Sequence, residues 1–520
     1  MQTVAEHLAT ALAQQGISTA FGIPGGETLS LLEALHSAGL RFVLTRHETA
    51  AGLMAEGLHL TTGAPGLLVA TVGPGAANCP NAVAQASLDR VPLVVVTGNV
   101  AAGHRGRFTH QVFDQQAVLR PLVKASYALS PDTAARDIAR GLQQMQEGRP
   151  GPVHFDLPLD VAVAPCPPAH LDPVQVADPD PDAVAEAASR LAQARNPLVL
   201  VGLEAIAASG LRPLVERLGA PAIGTYKAIG ALPSSHPQWI GAAGLSPKAD
   251  AVLLPLVEQA DVVLLAGYDA VEMRSSWLGP FARDAFVIDV SAAPSAPPEH
   301  RTDLRLVGPV PQTLGAILEA SPNSRRGLGG PWSTARDALG EAFPASSEWG
   351  PAGVITAIQR AVDPDTVVTC DTGAHRILLS QMWQADHPRT LLQSSGLCTM
   401  AYARPTAIGA ALGSQRRVVA VMGDGGIEMA PGDLATAREL GVDVTVVVID
   451  DRSLALIEKK QRALGFANVG VDFADAGTDF VKLAEAFGME ARRFDDVETL
   501  RAWLAEPARG LRLAHCPIAR

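Results

Sequence analysis

Short apolar runs, each separated from the next by an Ala-rich stretch of helical length, recur from one end of the chain to the other. They lie at 42–45, 66–71, 92–97 and 152–156, then at 197–201, 262–266 and 285–289, then at 366–370, 417–422, 444–449 and 511–515. Runs this short and this rich in Val and Leu read as strands buried on both faces. A strand–helix–strand repeat makes them parallel, because a parallel pair needs a crossover of about a dozen residues or more. The pattern predicts an α/β chain of doubly wound parallel sheets. An acidic, proline-rich stretch at 164–181 and a Gly- and Ser-rich stretch at 321–332 interrupt it. Three domains are therefore expected, at 1–163, 182–320 and 333–520. A chain of 520 residues is too long for one core, which agrees with that division.

Charge and cysteine usage narrow the function. The net charge is −12 and the isoelectric point about 5.6, with no Lys/Arg-rich arm, so neither nucleic acid nor an anionic membrane is an expected partner. The N-terminus lacks the basic-then-apolar pattern of a signal peptide, and the longest apolar runs are strand-length, so a cytoplasmic protein with no membrane span is expected. The five cysteines are scattered without a CxxC pair, the pattern of buried free thiols rather than a zinc site.

The most informative segment is Val418-Val419-Ala420-Val421-Met422-Gly423-Asp424-Gly425-Gly426. Glycines at the carboxyl end of a strand let backbone N–H groups approach a phosphate at the following helix N-terminus. An Asp at that point needs a cation between itself and the phosphate, and Mg²⁺ favours one or two carboxylates plus phosphate oxygens. The next apolar run, 444–449, ends in Asp450-Asp451-Arg452-Ser453. Adjacent parallel strands place their carboxyl ends side by side, so Asp424 and Asp451 can share one cation. Asp450 should point to the other face, because side chains alternate along a strand.

GDG followed about thirty residues later by an acid or amide pair resembles the signature of thiamine-diphosphate enzymes. The resemblance implies that Asp424, Asp451 and the main-chain carbonyl of Ser453 bind Mg²⁺. It makes Gly423, Gly425 and Gly426 part of the cofactor loop. Asp371-Thr372-Gly373-Ala374-His375-Arg376 is similar to the family's diphosphate-contacting turn, implicating Gly373, Ala374 and His375. Arg46-His47-Glu48 before small residues resembles the segment whose glutamate hydrogen-bonds the cofactor's pyrimidine nitrogen, and 69–78 resembles the TSGPGxxN loop. Glu48 would work from an apolar pocket that keeps its pKa high. Ser395-Gly396-Leu397-Cys398-Thr399-Met400 is similar to the acetolactate-synthase segment in which Met holds the cofactor bent, so Met400 takes that role and the Cys398 carbonyl lies near the pyrimidine amino group. Family geometry then implies a site shared between two chains, hence a homodimer or homotetramer.

The resemblance extends over nearly the whole chain and is strongest to FAD-independent, catabolic acetolactate synthases. It rests on Thr109-His110-Gln111-Val112-Phe113-Asp114 with Arg120-Pro121-Leu122-Val123-Lys124, on the 148–152 and 267–272 motifs, and on Asp451. His110 and Gln111 would act beside the substrate, and Gly26 of the Pro24-Gly25-Gly26-Glu27 loop would contact it. Two departures stand out: Glu27 replaces the lysine of those synthases, and Lys459-Lys460 replaces an apolar helix start ending in Gln. Lys460 aligns with a substrate-pocket position, so an acidic substrate tail is expected there. The implied activity is decarboxylation of a 2-oxo acid with carboligation to a second carbonyl. The alternative is a decarboxylase that releases an aldehyde; decarboxylases of the benzoylformate type usually carry His where Thr71 stands, which favours ligation. FAD in the middle domain is not expected.

Overall fold

The computed structural model describes residues 1–519 except 105, 169–177, 270, 272, 295–299, 324–328, 415, 474–476 and 508. Parts of both expected linkers, and Ala270 and Glu272 of the 267–272 motif, lie outside the described residues. The described chain forms three six-stranded parallel sheets with helices between the strands. Across the first sheet the strands are Arg41–Leu44, Thr19–Ile23, Gly66–Ala70, Leu93–Asn99, Val153–Pro158 and Ala125–Ala128. The third repeats this winding with Leu391–Gln393, Val367–Cys370, Val418–Gly423, Val444–Asp450, Leu511–Pro517 and Glu490–Arg493. The middle sheet runs Leu304–Val307, Phe286–Ser291, Val262–Ala266, Pro197–Val201, Ala222–Thr225 and Trp239–Ala243.

In the first and third sheets the winding reverses between the first and third strands in chain order. Those switch points lie between Thr19–Ile23 and Gly66–Ala70, and between Val367–Cys370 and Val418–Gly423. Open α/β sheets bind ligands in the crevice left there, outside the carboxyl ends of the strands.

Several strands carry no apolar run. Glu490–Arg493 and Leu304–Val307 are half-exposed edge strands with charged or polar faces. Thr19–Ile23 is buried and central, but its Gly22 weakens the pattern. A Cβ at Gly22 would stand 1.9 Å from Val69 O, so the close approach of two backbones requires glycine.

The first and third domains are clamped by two helices, Glu48–Thr62 and Ala403–Ser414. A Cβ at Gly57 would lie 2.1 Å from Thr406 O, and one at Gly409 would lie 1.9 Å from Met54 O, so the helices touch backbone to backbone. One apolar core runs through this contact, from Phe21 and Leu68 to Val418 and Val446. The helix Gly330–Ala342 buries Ala335 and Leu339 in a middle-domain core with Leu198 and Val263, so the boundary expected between 320 and 333 cuts across that core.

Candidate active site

The carboxyl ends of Val367–Cys370, Val418–Gly423 and Val444–Asp450 open into a cavity of about 530 Å³. Gly373, Ala374, His375, Met400, Gly423, Asp424, Gly425, Gly426, Asp451 and Ser453 all line it. The pairing of Gly423 with Ile449 sets Asp424 level with Asp450, and Asp451 follows one residue beyond. Asp424 is buried, and its carboxyl is pushed up to about 7 by burial, with Asp451 and Asp450 adding to the shift. Its Oδ2 has no hydrogen-bond partner among the described residues. Burial also raises Asp451. Two carboxylates crowded out of water need a cation or a proton between them.

Asp450 does not line the cavity. It stands behind Asp424, within hydrogen-bonding reach of it, and takes its second contact from His515 Nε2 at 2.8 Å. No group of three His, Cys, Asp or Glu side chains gathers around a metal-sized point among the described residues. The expected set of two carboxylates and a carbonyl does not call for one.

His375 fits an anion from the other side. Burial, helped by Arg376, pushes its pKa down to about 4 against a hydrogen bond to the Asp371 backbone, so the ring is neutral, and its Nε2 has no partner among the described residues. It sits in the first turn of the helix Ala374–Met382, where free backbone N–H groups favour phosphate. A Cβ at Gly425 would lie 3.4 Å from Met400 Cε, so the Met400 methyl stands directly over the glycine loop. Cys398 does not line the cavity; its Sγ–H donates to Ser395 O at 3.0 Å and accepts from Arg376 Nη2 at 3.3 Å.

The other predicted residues belong to the first domain's switch point. Glu48 opens its helix and is buried, and Asn78 Nδ2 donates to its Oε2 at 2.9 Å. The point where a Gly75 Cβ would stand is 3.3 Å from Glu48 Oε1 and 2.9 Å from Thr71 Cγ2. Thr71 Oγ1 in turn donates to Glu27 Oε2 at 2.9 Å, beside the exposed Gly26. Gln111, in a left-handed conformation with φ 60°, presses its carbonyl toward Gly73, while His110 is exposed and edge-on to Phe108. Glu48, His110 and Gln111 are not among the residues lining the metal-side cavity.

Lys460 is also absent from that lining. Lys459 and Lys460 are both exposed, but only Lys459, with Arg462 of the same helix, lines the cavity. One helical residue is a turn of about 100°, so an alignment uncertain by one position cannot choose the face. Sequence reasoning passed over Asp371. It is wholly buried and accepts N–H bonds from Ala401 at 3.0 Å and Tyr402 at 2.9 Å, holding the chain just beyond Met400. Its place directly after an apolar run was the available signal.

The middle domain's switch point is bridged by the chain itself. A Cβ at Gly202 would fall 2.4 Å from Gly267 O. Arg149, from the first domain, pairs with Glu204 at 2.6 Å, and Arg90 pairs with Asp269 at the same distance. These ion pairs tie the first domain to the loops that follow Pro197–Val201 and Val262–Ala266.

One switch point offers a buried carboxyl and the other a cavity lined by two acids and a glycine loop, and comparison names the family that uses such parts. Residues 2–118, 184–317 and 371–513 match the N-terminal TPP binding domain, the central domain and the C-terminal TPP binding domain of the thiamine pyrophosphate enzymes, and the chain belongs to that family. It is 30% identical to the acetolactate synthase isozyme 1 large subunit of Escherichia coli (strain K12), over 94% of this chain and 88% of the relative. It is 31% identical to isozyme 3 of the same organism, over 97% and 92%, and 30% identical to the acetolactate synthase of Bacillus subtilis (strain 168), over 95% and 89%. It is an acetolactate-synthase-like member of the family. No helix among the described residues is long and apolar enough to cross a membrane.

Proposed function

We propose that this enzyme decarboxylates a 2-oxo acid and joins the remaining fragment to a second carbonyl, using thiamine diphosphate and Mg²⁺. One observation carries the reading: the partnerless Asp424 oxygen, Asp451, the partnerless His375 Nε2 and the Met400 methyl converge on one cavity. When bound, thiamine diphosphate supplies the electron sink that lets a 2-oxo acid lose CO₂. Asp424, Asp451 and the Ser453 carbonyl would hold Mg²⁺, the metal taking the place of the proton on Asp424. Backbone N–H groups of Gly373 and Ala374, with neutral His375, would hold the diphosphate. Glu48 would keep a proton at a pyrimidine nitrogen; Asn78 donates to its Oε2, and Oε1 would be the oxygen that serves the ring. Gly26, His110 and Gln111 would border the substrate. We place no flavin in the middle domain, and the protein is read as a cytoplasmic one.

Because Glu48 does not line the metal-side cavity of its own chain, we assign each site to two chains of a homodimer or homotetramer. Exposed Phe108 and Phe113 on one half, and Ile457, Leu464 and Phe466 on the other, are apolar surface such an interface would cover. Mixing Glu48→Gln chains with Asp424→Asn chains should restore about a quarter of normal activity, the statistical share of intact sites; no recovery would refute the shared site.

The reaction is tested with a panel of 2-oxo acids, scored for CO₂ release with and without Mg²⁺ and for product mass. A 2-hydroxy-2-alkyl acid from pyruvate is expected. Aldehyde alone would make the enzyme a simple decarboxylase, and CO₂ from no 2-oxo acid would overturn the reading.

A further inference from the structure

The segment that delivers Met400 is a strained loop, Ser394 to Tyr402, held from all three domains. Cys398 and Ala401 adopt left-handed conformations, with φ 55° and 60°. For a non-glycine residue this costs about 1–3 kcal/mol and persists only where the surroundings over-determine it. The surroundings here are a buried polar junction. Asp89, 3% exposed at the end of the helix Pro80–Leu88, accepts the N–H of Ser395 at 3.1 Å and of Gly396 at 2.7 Å. Its carboxylate also accepts from Gln85 Nε2 at 2.7 Å and pairs with Lys227 of the middle domain, which is itself buried. Tyr226, next to Lys227, donates its hydroxyl to Ser395 O at 3.1 Å. Gln85 Oε1 accepts from Ser394 Oγ at 2.6 Å, and that same Oγ accepts the Thr399 N–H at 3.2 Å.

A buried Asp–Lys pair is a poor way to gain stability, since apolar residues of equal volume serve as well or better. What this pair does is fix backbone. Its carboxylate is spent on two consecutive amides of the loop, and the loop ends with the Met400 methyl over Gly425. We propose that Asp89, clamped by Lys227, is a positioning residue for the reaction: it holds the Ser394–Tyr402 loop in the conformation that seats Met400 in the cofactor cavity. The inference rests on the reading of Met400 as the residue that keeps the cofactor bent.

The test compares wild type with Asp89→Asn/Lys227→Met, which removes both charges together, and with Tyr226→Phe, a milder loss of one bond to the same loop. The first readout is amide hydrogen exchange of the 394–402 segment in the apoprotein, which should speed up in both variants. The second is deuterium exchange of the thiazolium C2 proton in the holoenzyme. It should slow about 10- to 100-fold in the double variant, the scale of a misplaced reacting group, and several-fold in Tyr226→Phe. Thiamine diphosphate affinity should stay within a few-fold of normal. Met400→Ala serves as the reference. If Met400→Ala leaves C2 exchange unchanged, the reading of Met400 is wrong. If Met400→Ala slows it while the loop variants speed amide exchange and leave C2 exchange normal, Asp89 is a structural anchor only and the inference fails. Should the double variant not fold, Tyr226→Phe decides by the same criterion.

Discussion

Gly426→Ala isolates one contact on which the cavity depends. A Cβ there would stand 2.0 Å from Asp371 Oδ2 and 3.4 Å from Met422 Cε. The carboxylate cannot yield cheaply. It is wholly buried, with its pKa raised to about 6 by that burial, and it holds the amides of Thr372, Ala401 and Tyr402. Overpacking a tight site costs about 1–3 kcal/mol. Displacing one hydrogen bond to a charged acceptor adds about 1.5–3 kcal/mol. The sum, about 2.5–6 kcal/mol, is a large part of the 5–15 kcal/mol typical of a folded protein. The same motif contains its own control, because a Cβ at Gly423 would meet nothing nearer than His375, at an ordinary 3.5 Å. Thermal unfolding of the two apoproteins, followed by circular dichroism, should show a large loss for Gly426→Ala and little change for Gly423→Ala. Where Gly426→Ala does fold, its affinity for thiamine diphosphate should fall by about 10² or more, since the helix Asp424–Met429, which carries the proposed metal ligand, must shift. Equal stability of the two variants would refute the packing argument.

Glu48→Gln should bind the cofactor near normally but turn over at least about 10²-fold more slowly, the scale of lost acid–base assistance; near-normal kcat would remove Glu48 from the chemistry. Asp424→Asn and Asp451→Asn should each weaken cofactor binding with partial rescue by high Mg²⁺, and a Mg²⁺ titration unchanged in both would move the metal elsewhere. Lys459→Gln should shift kcat/KM from a dicarboxylic 2-oxo acid toward pyruvate by about 10- to 100-fold, whereas Lys460→Gln should not; the opposite order would show that Lys460 faces the substrate. Glu56, beside Asp89, has its carboxyl raised from 4.5 to about 7 by burial and then by Asp89. The native protein therefore holds a proton that the unfolded chain releases, so this group's stabilisation is full below about pH 4.5 and is lost as pH rises towards 7. Glu56→Gln should flatten the fall of Tm between pH 5 and 8, and an unchanged slope would show that Glu56 is ionised in the folded protein.

The sequence by itself determined the class of fold and the meeting of the acids that line the cavity. Parallel strands buried on both faces must be short apolar runs, and a strand–helix repeat allows no other sheet, so 418–422 and 444–449 could be placed as neighbours from their composition. Once they are neighbours, the acids that follow them must meet. Asp424 and Asp451 were legible for that reason, whereas His375 and Met400 were reached only through resemblance to family segments. Periodicity could not reach the edge strands such as Glu490–Arg493, whose faces meet water, or Thr19–Ile23, where glycine serves backbone contact rather than packing. Nor could it choose between Lys459 and Lys460, because helix phase is set by what the helix packs against. Only the tertiary structure brought together Asp89, Lys227 and Ser395, residues that lie 138 and 306 positions from Asp89 in the chain yet share one carboxylate. A buried polar group must find a partner wherever the fold provides one, and no local pattern announces where that will be.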